Sequence, residues 1–137
     1  MAFTRRMAAS IGAEVGLSTA AVQRRLKRLR ADGVIAAEMA MLDIKAVGVP
    51  ITCIVTVSLA TTAAHLERFK RTIRGEPAVQ QCYHVTGRAD FILIATTPSM
   101  EDYGAFARTW FETAHVARYE THAVLERVRV SLSLAIP

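Results

Sequence analysis

The chain lacks the patterns that mark secreted, zinc-stabilised and membrane proteins. Its 137 residues include two cysteines, Cys53 and Cys82, each in an apolar stretch without a second cysteine nearby. This spacing excludes a disulfide framework or a zinc ribbon and predicts small core residues in a reducing cytosol. No apolar run reaches the roughly 18 residues of a membrane span, and no signal-peptide core follows Arg5 and Arg6. We expect a cytoplasmic protein outside the membrane.

Motifs for metal binding and catalysis are also missing. The four histidines, at positions 65, 84, 115 and 122, form no HExxH or other close ligand pair. No Ser/His/Asp, Cys/His or paired-carboxylate arrangement supports catalysis. We therefore expect no metal, no cofactor and no enzymatic activity.

What the chain does have is positive charge at one end. The formal net charge is +5, and the first 35 residues hold seven basic and two acidic residues, against ten of each in the remainder. Confinement of the whole net charge to the first quarter indicates that this end alone contacts a polyanion.

The same end carries a helix-turn-helix pattern. Residues 8–15 have helical character up to Gly16, whose freedom to adopt φ > 0 ends a helix. Ser18 is a good N-cap for the next segment, which Asp32-Gly33 ends. The apolar stripe of that segment is Val22, Leu26 and Leu29, spaced as on one helical face.

The opposite face of this second helix suits DNA. Arg24 lies nearly opposite the stripe, and Gln23 lies at its border. We predict that Gln23, helped by Thr19, reads base edges, while basic residues hold phosphates. The predicted contact residues are Ser18, Thr19, Ala20, Gln23, Arg24, Lys27 and Arg28. A solvated basic face is the alternative, but it leaves the short first helix and the glycine turn unexplained.

The remainder predicts an α+β domain. Residues 35–49 are expected to form a short strand and a linker, and from Pro50 the pattern alternates as in a strand. The order from there is β-α-β-β-α-β, a ferredoxin-like antiparallel sheet with two helices on one face. The last strand is predicted over residues 118–130, RYETHAVLERVRV. The uncovered sheet face predicts at least a dimer. The predicted divisions are 1–34, 35–49 and 50–137.

Three motifs along the chain resemble those of the leucine-responsive/asparagine (Lrp/AsnC) transcriptional regulators. They are IGAEVGLSTAAVQRRLKRLRADGVI, VTGRADFILIATT and VARYETHAVLERVR, and the similarity runs from about Arg5 to the C-terminus. The resemblance implies a DNA-binding helix-turn-helix and a ligand-sensing, oligomerising βαββαβ domain. Members usually begin with one more helix, so we expect an incomplete helix-turn-helix here. The implied partners are double-stranded DNA, an amino acid or similar small-molecule effector, and further subunits in a homo-oligomer: a dimer, a tetramer or an octamer.

The resemblance also implies an effector site. Thr86, Gly87 and Asp90 match the family's effector loop, and Thr121 and His122 match its last-strand positions. A glycine turn can direct N–H groups at a carboxylate, and Asp90 can accept from an α-ammonium group. The alternative is that TGRAD is only the turn between two strands.

Two other functions share this layout. One is a ligand-sensing module that co-assembles with relatives and does not bind DNA itself. The other is a sirohaem-decarboxylase-like enzyme, which would need histidines such as His84, His115 and His122 around a tetrapyrrole-sized cavity. The sequence leaves the effector, the operator and the direction of regulation open.

Overall fold

The structure, a computed structural model, describes residue 9, residues 12–60 and residues 63–137. The chain divides into two compact units between Met41 and Leu42. Each unit is considered by itself below.

The first unit contains the predicted turn between helices. Residues 12–15 are helical, and Gly16 follows with φ of 72°, in the left-handed region where a Cβ is costly. Ser18 caps helix α1 (Thr19–Ala31), because its hydroxyl accepts a hydrogen bond from the Ala21 N–H at 3.1 Å. The helix ends at Asp32, as predicted. Of the predicted first helix, residues 8, 10 and 11 lie outside the described part of the chain.

The strand predicted within residues 35–49 is wrong. Residues 36–43 have no regular secondary structure, and residues 44–48 form a turn. The carboxylate of Asp43 accepts hydrogen bonds from the N–H groups of Lys45 and Ala46, and these bonds lower its pKa. A strand needs a neighbouring backbone to bond to, and no described residue supplies one for 36–43, so the apolar residues of this segment alone do not form a strand.

The second unit has the predicted βαββαβ order. Its elements are β1 (Ile51–Leu59), α2 (Ala63–Ile73), β2 (Val79–His84), β3 (Phe91–Thr97), α3 (Met100–Trp110) and β4 (Val116–Ala123). The strands form one antiparallel sheet in the order β2-β3-β1-β4. The third strand of the sequence lies inside the sheet, and it carries apolar residues on both faces, as is typical of such a strand.

The core lies between the sheet and the two helices. Side chains of β1 and β3 point alternately to this side, and Phe69 and Ile73 of α2 pack on them with Tyr103 and Phe106 of α3. The sheet contributes Cys53, Val55, Val57, Phe91, Leu93 and Ala95. Ser99 is the N-cap of α3, since its hydroxyl accepts from the Asp102 N–H at 3.1 Å.

The last strand is shorter than predicted. It begins at Val116 and ends at Ala123, whereas the sequence pattern predicted residues 118–130. Its neighbour β1 begins only at Ile51, directly after Pro50, and the Val124 N–H donates the last bond across, to the Thr52 carbonyl at 2.9 Å. Beyond that point no described backbone is available for pairing. Within the described residues, no helix is long and apolar enough to cross a membrane.

Candidate DNA-contact helix and effector hairpin

Helix α1 presents the predicted basic face to solvent. Arg24, Lys27 and Arg28 are exposed, and Gln23 at the edge of this face is half-buried. On the other side Val22 is buried, Leu26 is half-buried and Leu29 is 37% exposed. The remaining predicted contact residues also lie at the helix start, with Ser18 and Ala20 exposed and Thr19 half-buried. The structure therefore gathers the predicted DNA-contact residues on one accessible surface.

The cations of α1 differ in whether they are already paired. Arg30 forms a bidentate ion pair with Glu38, whose two carboxylate oxygens accept from Nε and, at 2.9 Å, from Nη2. This side-chain hydrogen bond lowers the pKa of Glu38. Among the residues that the structure describes, Arg24, Lys27 and Arg28 make no ion pair. These three are thus available for phosphates, whereas Arg30 holds the segment after the helix.

Gly12 is a residue that sequence reasoning missed. The Leu17 N–H donates to the Gly12 carbonyl at 2.9 Å, which closes the turn before α1. A Cβ at position 12 would lie 2.6 Å from the Leu17 carbonyl oxygen and 3.4 Å from a methyl group of Val22. Glycine at this position lets the two helical segments approach. The position of Gly12 shortly before the turn could have indicated this close approach in the sequence, because tight helix-turn-helix turns need a residue without a side chain.

The predicted effector hairpin joins β2 to β3. Gly87 has φ of 109°, which side chains rarely allow, and Thr86 and Gly87 are exposed at the tip. Asp90 is half-buried: its Oδ2 accepts from the Leu59 N–H at 2.7 Å, and its own N–H donates to the Val57 carbonyl at 2.9 Å. The Arg88 carbonyl accepts from the Ser58 hydroxyl at 3.3 Å. The hairpin is fixed against the end of β1, and its tip is open to a ligand.

Thr121 and His122 lie elsewhere on the sheet. The Thr121 hydroxyl shares a hydrogen bond with the Tyr103 hydroxyl on the helix-covered side, while His122 points to the opposite face, 3.7 Å from Glu120. Strand β4 flanks β1 on one side and β3 flanks it on the other. Thr121 and His122 on β4 are therefore two strand spacings, of about 4.8 Å each, from β3, and Asp90 lies just before β3. One chain alone does not bring all five predicted effector residues together.

The sheet face opposite the helices carries apolar side chains. Ile54 pairs across the sheet with Ile94, and Ile92 lies beside Tyr83. Ile54 is 36% exposed and Tyr83 is 53% exposed, while Ile92 and Ile94 are half-buried. Apolar atoms at the centre of a sheet face are favourable only when they are removed from water. This face, defined by Ile54, Tyr83, Ile92 and Ile94, is called the open face below.

Both units match known protein families. A winged helix-turn-helix DNA-binding family matches residues 8–36, and the Lrp/AsnC ligand binding domain matches residues 52–134. An uncharacterised HTH-type transcriptional regulator of Sinorhizobium fredii is 46% identical over 125 residues, which cover 90% of this chain and 74% of the relative.

Two solved structures share the fold. An AsnC family transcriptional regulator from Agrobacterium tumefaciens has a TM-score of 0.81 at 26% identity, covering 93% of this chain and 84% of its own. A Neisseria meningitidis transcriptional regulator, solved in complex with L-Met, has a TM-score of 0.84 at 26% identity with the same coverage. The matched families are those of transcriptional regulators, not of enzymes. The chain belongs to the Lrp/AsnC family of DNA-binding transcriptional regulators, as its motifs predicted.

Proposed function

We propose that α1 lies in the major groove of double-stranded DNA and that seven residues at its start and on its basic face make the contacts. The observation that carries this proposal is the set of three exposed cations beside Gln23 that make no ion pair with any described residue. Arg24, Lys27 and Arg28 neutralise phosphates and set the orientation. Gln23 has an amide that can bond an adenine edge in two places, and Thr19 lies one helical turn before it.

The working unit in this proposal is a homodimer, with a tetramer or an octamer as larger assemblies. The open face supports it, because a second copy packed there removes Ile54, Ile92 and Ile94 from water. A two-fold dimer then presents two α1 helices to half-sites about one helical turn apart. A palindromic operator follows from that symmetry.

The effector in this proposal is an amino acid or a similar small metabolite bound at the hairpin between subunits. Thr86 and Gly87 offer polar groups at an open tip, and one oxygen of Asp90 already holds Leu59, which leaves the other to accept from an ammonium group. Thr121 and His122 would come from a neighbouring subunit, because a single chain keeps them away from the hairpin. The L-Met complex of the Neisseria meningitidis relative makes methionine the first ligand to try. Since the partner is chromosomal DNA, the proposed location is the cytoplasm.

The test is selection of bound sequences from a random duplex pool, followed by gel shift and size measurement with and without L-methionine. We expect an enriched palindromic site, a dimer or a larger species, and a change in affinity or size with an amino acid. A chain that responds to amino acids and enriches no sequence would instead be a ligand-sensing module that acts by co-assembly. A chain that stays monomeric would overturn the dimer.

A further inference from the structure

A pocket of about 230 Å³ opens on the helix side of the second unit, away from the open face. It lies between α2, the C-terminal end of α3 and the segment that leads into β4. Its apolar walls are Leu59, Phe69, Trp110 and Val116. None of the five predicted effector residues lines it. The pocket is thus separate from the hairpin site, although Leu59 contributes its side chain here and its N–H to Asp90.

The polar side chains that line the pocket include one cation and two imidazoles. Arg68 of α2 supplies a permanent positive charge, and His65 and His115 face each other with ring centroids 4.3 Å apart. Each imidazole carries at least one N–H donor whatever its protonation state. Among the described residues that line the pocket, the other polar side chains are threonines and none is Asp or Glu. This set of groups suits an anion and disfavours a cation.

Glu76, which follows α2, is already bonded. Glu76 accepts from the Trp110 Nε1–H through Oε2 at 3.2 Å and from the Ala78 N–H through Oε1 at 3.1 Å. It holds the indole in place as a wall of the pocket. The indole face and Phe69 are aromatic surfaces, and rings pack well against both.

The size of the pocket limits the ligand. A closed apolar cavity of about 150 Å³ holds a benzene molecule. A pocket of about 230 Å³ has room for a ring with a short acidic side chain. Apolar walls with a few converging donors are typical of small-molecule sites.

We propose that this pocket is a second ligand site and that it binds a small aromatic carboxylate. The ring lies among Phe69, Trp110 and Val116, and the carboxylate is held by Arg68 with His65 and His115 at hydrogen-bonding positions. Such a site lets the regulator respond to an organic acid independently of the amino acid at the hairpin.

The chain supplies its own reporter for this site. Trp110 is the single tryptophan, so intrinsic indole fluorescence comes from the pocket wall alone. Phenylacetate is the probe, titrated into the full chain, and its uncharged analogue phenylacetamide is the comparison. We expect saturable quenching or a spectral shift with phenylacetate and binding about tenfold weaker with phenylacetamide, the loss typical for one charge-assisted contact.

Two arginines of α2 give matched variants. Arg68→Gln should weaken the binding of phenylacetate about tenfold and leave the binding of phenylacetamide unchanged. Arg68→Lys should recover part of the lost affinity for phenylacetate. Arg71→Gln removes an exposed charge from the same helix but outside the pocket, and it should change the affinity for neither ligand. Equal binding of both ligands, or equal effects at positions 68 and 71, would overturn the anion site. No fluorescence change at millimolar phenylacetate, with circular dichroism showing a folded chain, would overturn the pocket itself.

Discussion

The carboxylate of Asp90 holds the backbone N–H of Leu59 at 2.7 Å, at the point where the pairing register of β1 and β4 shifts. The same residue is the acid that the sequence assigned to the effector hairpin. Asp90 thus supports the end of β1 whether or not a ligand is present, and any mutation there has to separate a structural effect from a binding effect.

Substitution of Asp90 by asparagine or alanine makes that separation. Asp90→Ala leaves the Leu59 N–H without its partner and should lower the free energy of unfolding by about 1–3 kcal/mol. Asp90→Asn keeps an oxygen that accepts this bond, so it should retain most of the stability and lose the charge that holds an ammonium group. Thermal melting with and without L-methionine measures both. A full ligand-induced shift in Asp90→Asn would mean that the hairpin is only a turn.

The basic face of α1 predicts a salt-dependent affinity for DNA. If the three unpaired cations of each subunit in a dimer neutralise one phosphate each, log K falls with log salt with a slope of about −5. Arg24→Ala should reduce the size of that slope by about 2, because both subunits lose one contact. Arg25→Ala is the matched control, since Arg25 is exposed but lies on the stripe side of the helix. A slope near zero for the unmodified chain would remove DNA as the partner.

A methyl group at position 12 should disrupt the turn before α1. Gly12→Ala places a Cβ 2.6 Å from a backbone carbonyl, which cannot move without breaking its turn, and should cost about 1–3 kcal/mol with a loss of DNA affinity. Circular dichroism during denaturation and gel shift measure the two effects. Unchanged DNA binding in Gly12→Ala would show that this close approach is not needed.

Gly104→Ala is the contrasting substitution. Position 104 lies inside α3, and a Cβ there meets only a side-chain atom of Arg108 at 3.5 Å, an ordinary contact. Alanine is favoured over glycine in a helix, so this variant should be more stable by about 0.5–1 kcal/mol. Denaturant midpoints of the two glycine variants, measured side by side, check the opposite signs.

Stability should fall at alkaline pH. Burial raises the pKa of the Tyr103 hydroxyl above its ordinary value of 10.0, although the bond to Thr121 opposes the shift. A group whose pKa is higher in the folded state than in the unfolded state stabilises the fold. This contribution to the free energy of unfolding is complete below the pKa of the unfolded state and is lost as pH rises through the pKa of the folded state. Burial acts in the same direction on Cys53 and Cys82. The free energy of unfolding should decline from about pH 9 upward, and Tyr103→Phe should decline less steeply above pH 10 than the unmodified chain. Parallel curves for the two proteins would contradict this assignment.

Sequence patterns predicted the elements whose partners are local or plainly periodic. Ser18 and Gly16 form the cap and the turn that their chemistry implies, and the alternation that begins after Pro50 gives β1. The patterns were wrong where a strand needed a neighbour: a strand was expected within residues 35–49 and over residues 124–130, and no described backbone pairs with either segment. The pattern of apolar residues indicates which face of an extended segment is buried. It does not indicate whether another backbone lies beside that segment.

Motifs and periodicity were enough to identify the family, the α+β order and the concentration of positive charge on one helix, because these depend on spacing along the chain. Only the three-dimensional structure shows that the Thr121 hydroxyl bonds to the Tyr103 hydroxyl, that Arg30 pairs with Glu38, and that His65 and His115 meet over a pocket. Those relationships join residues from separate elements, and their distances depend on how the strands and helices pack.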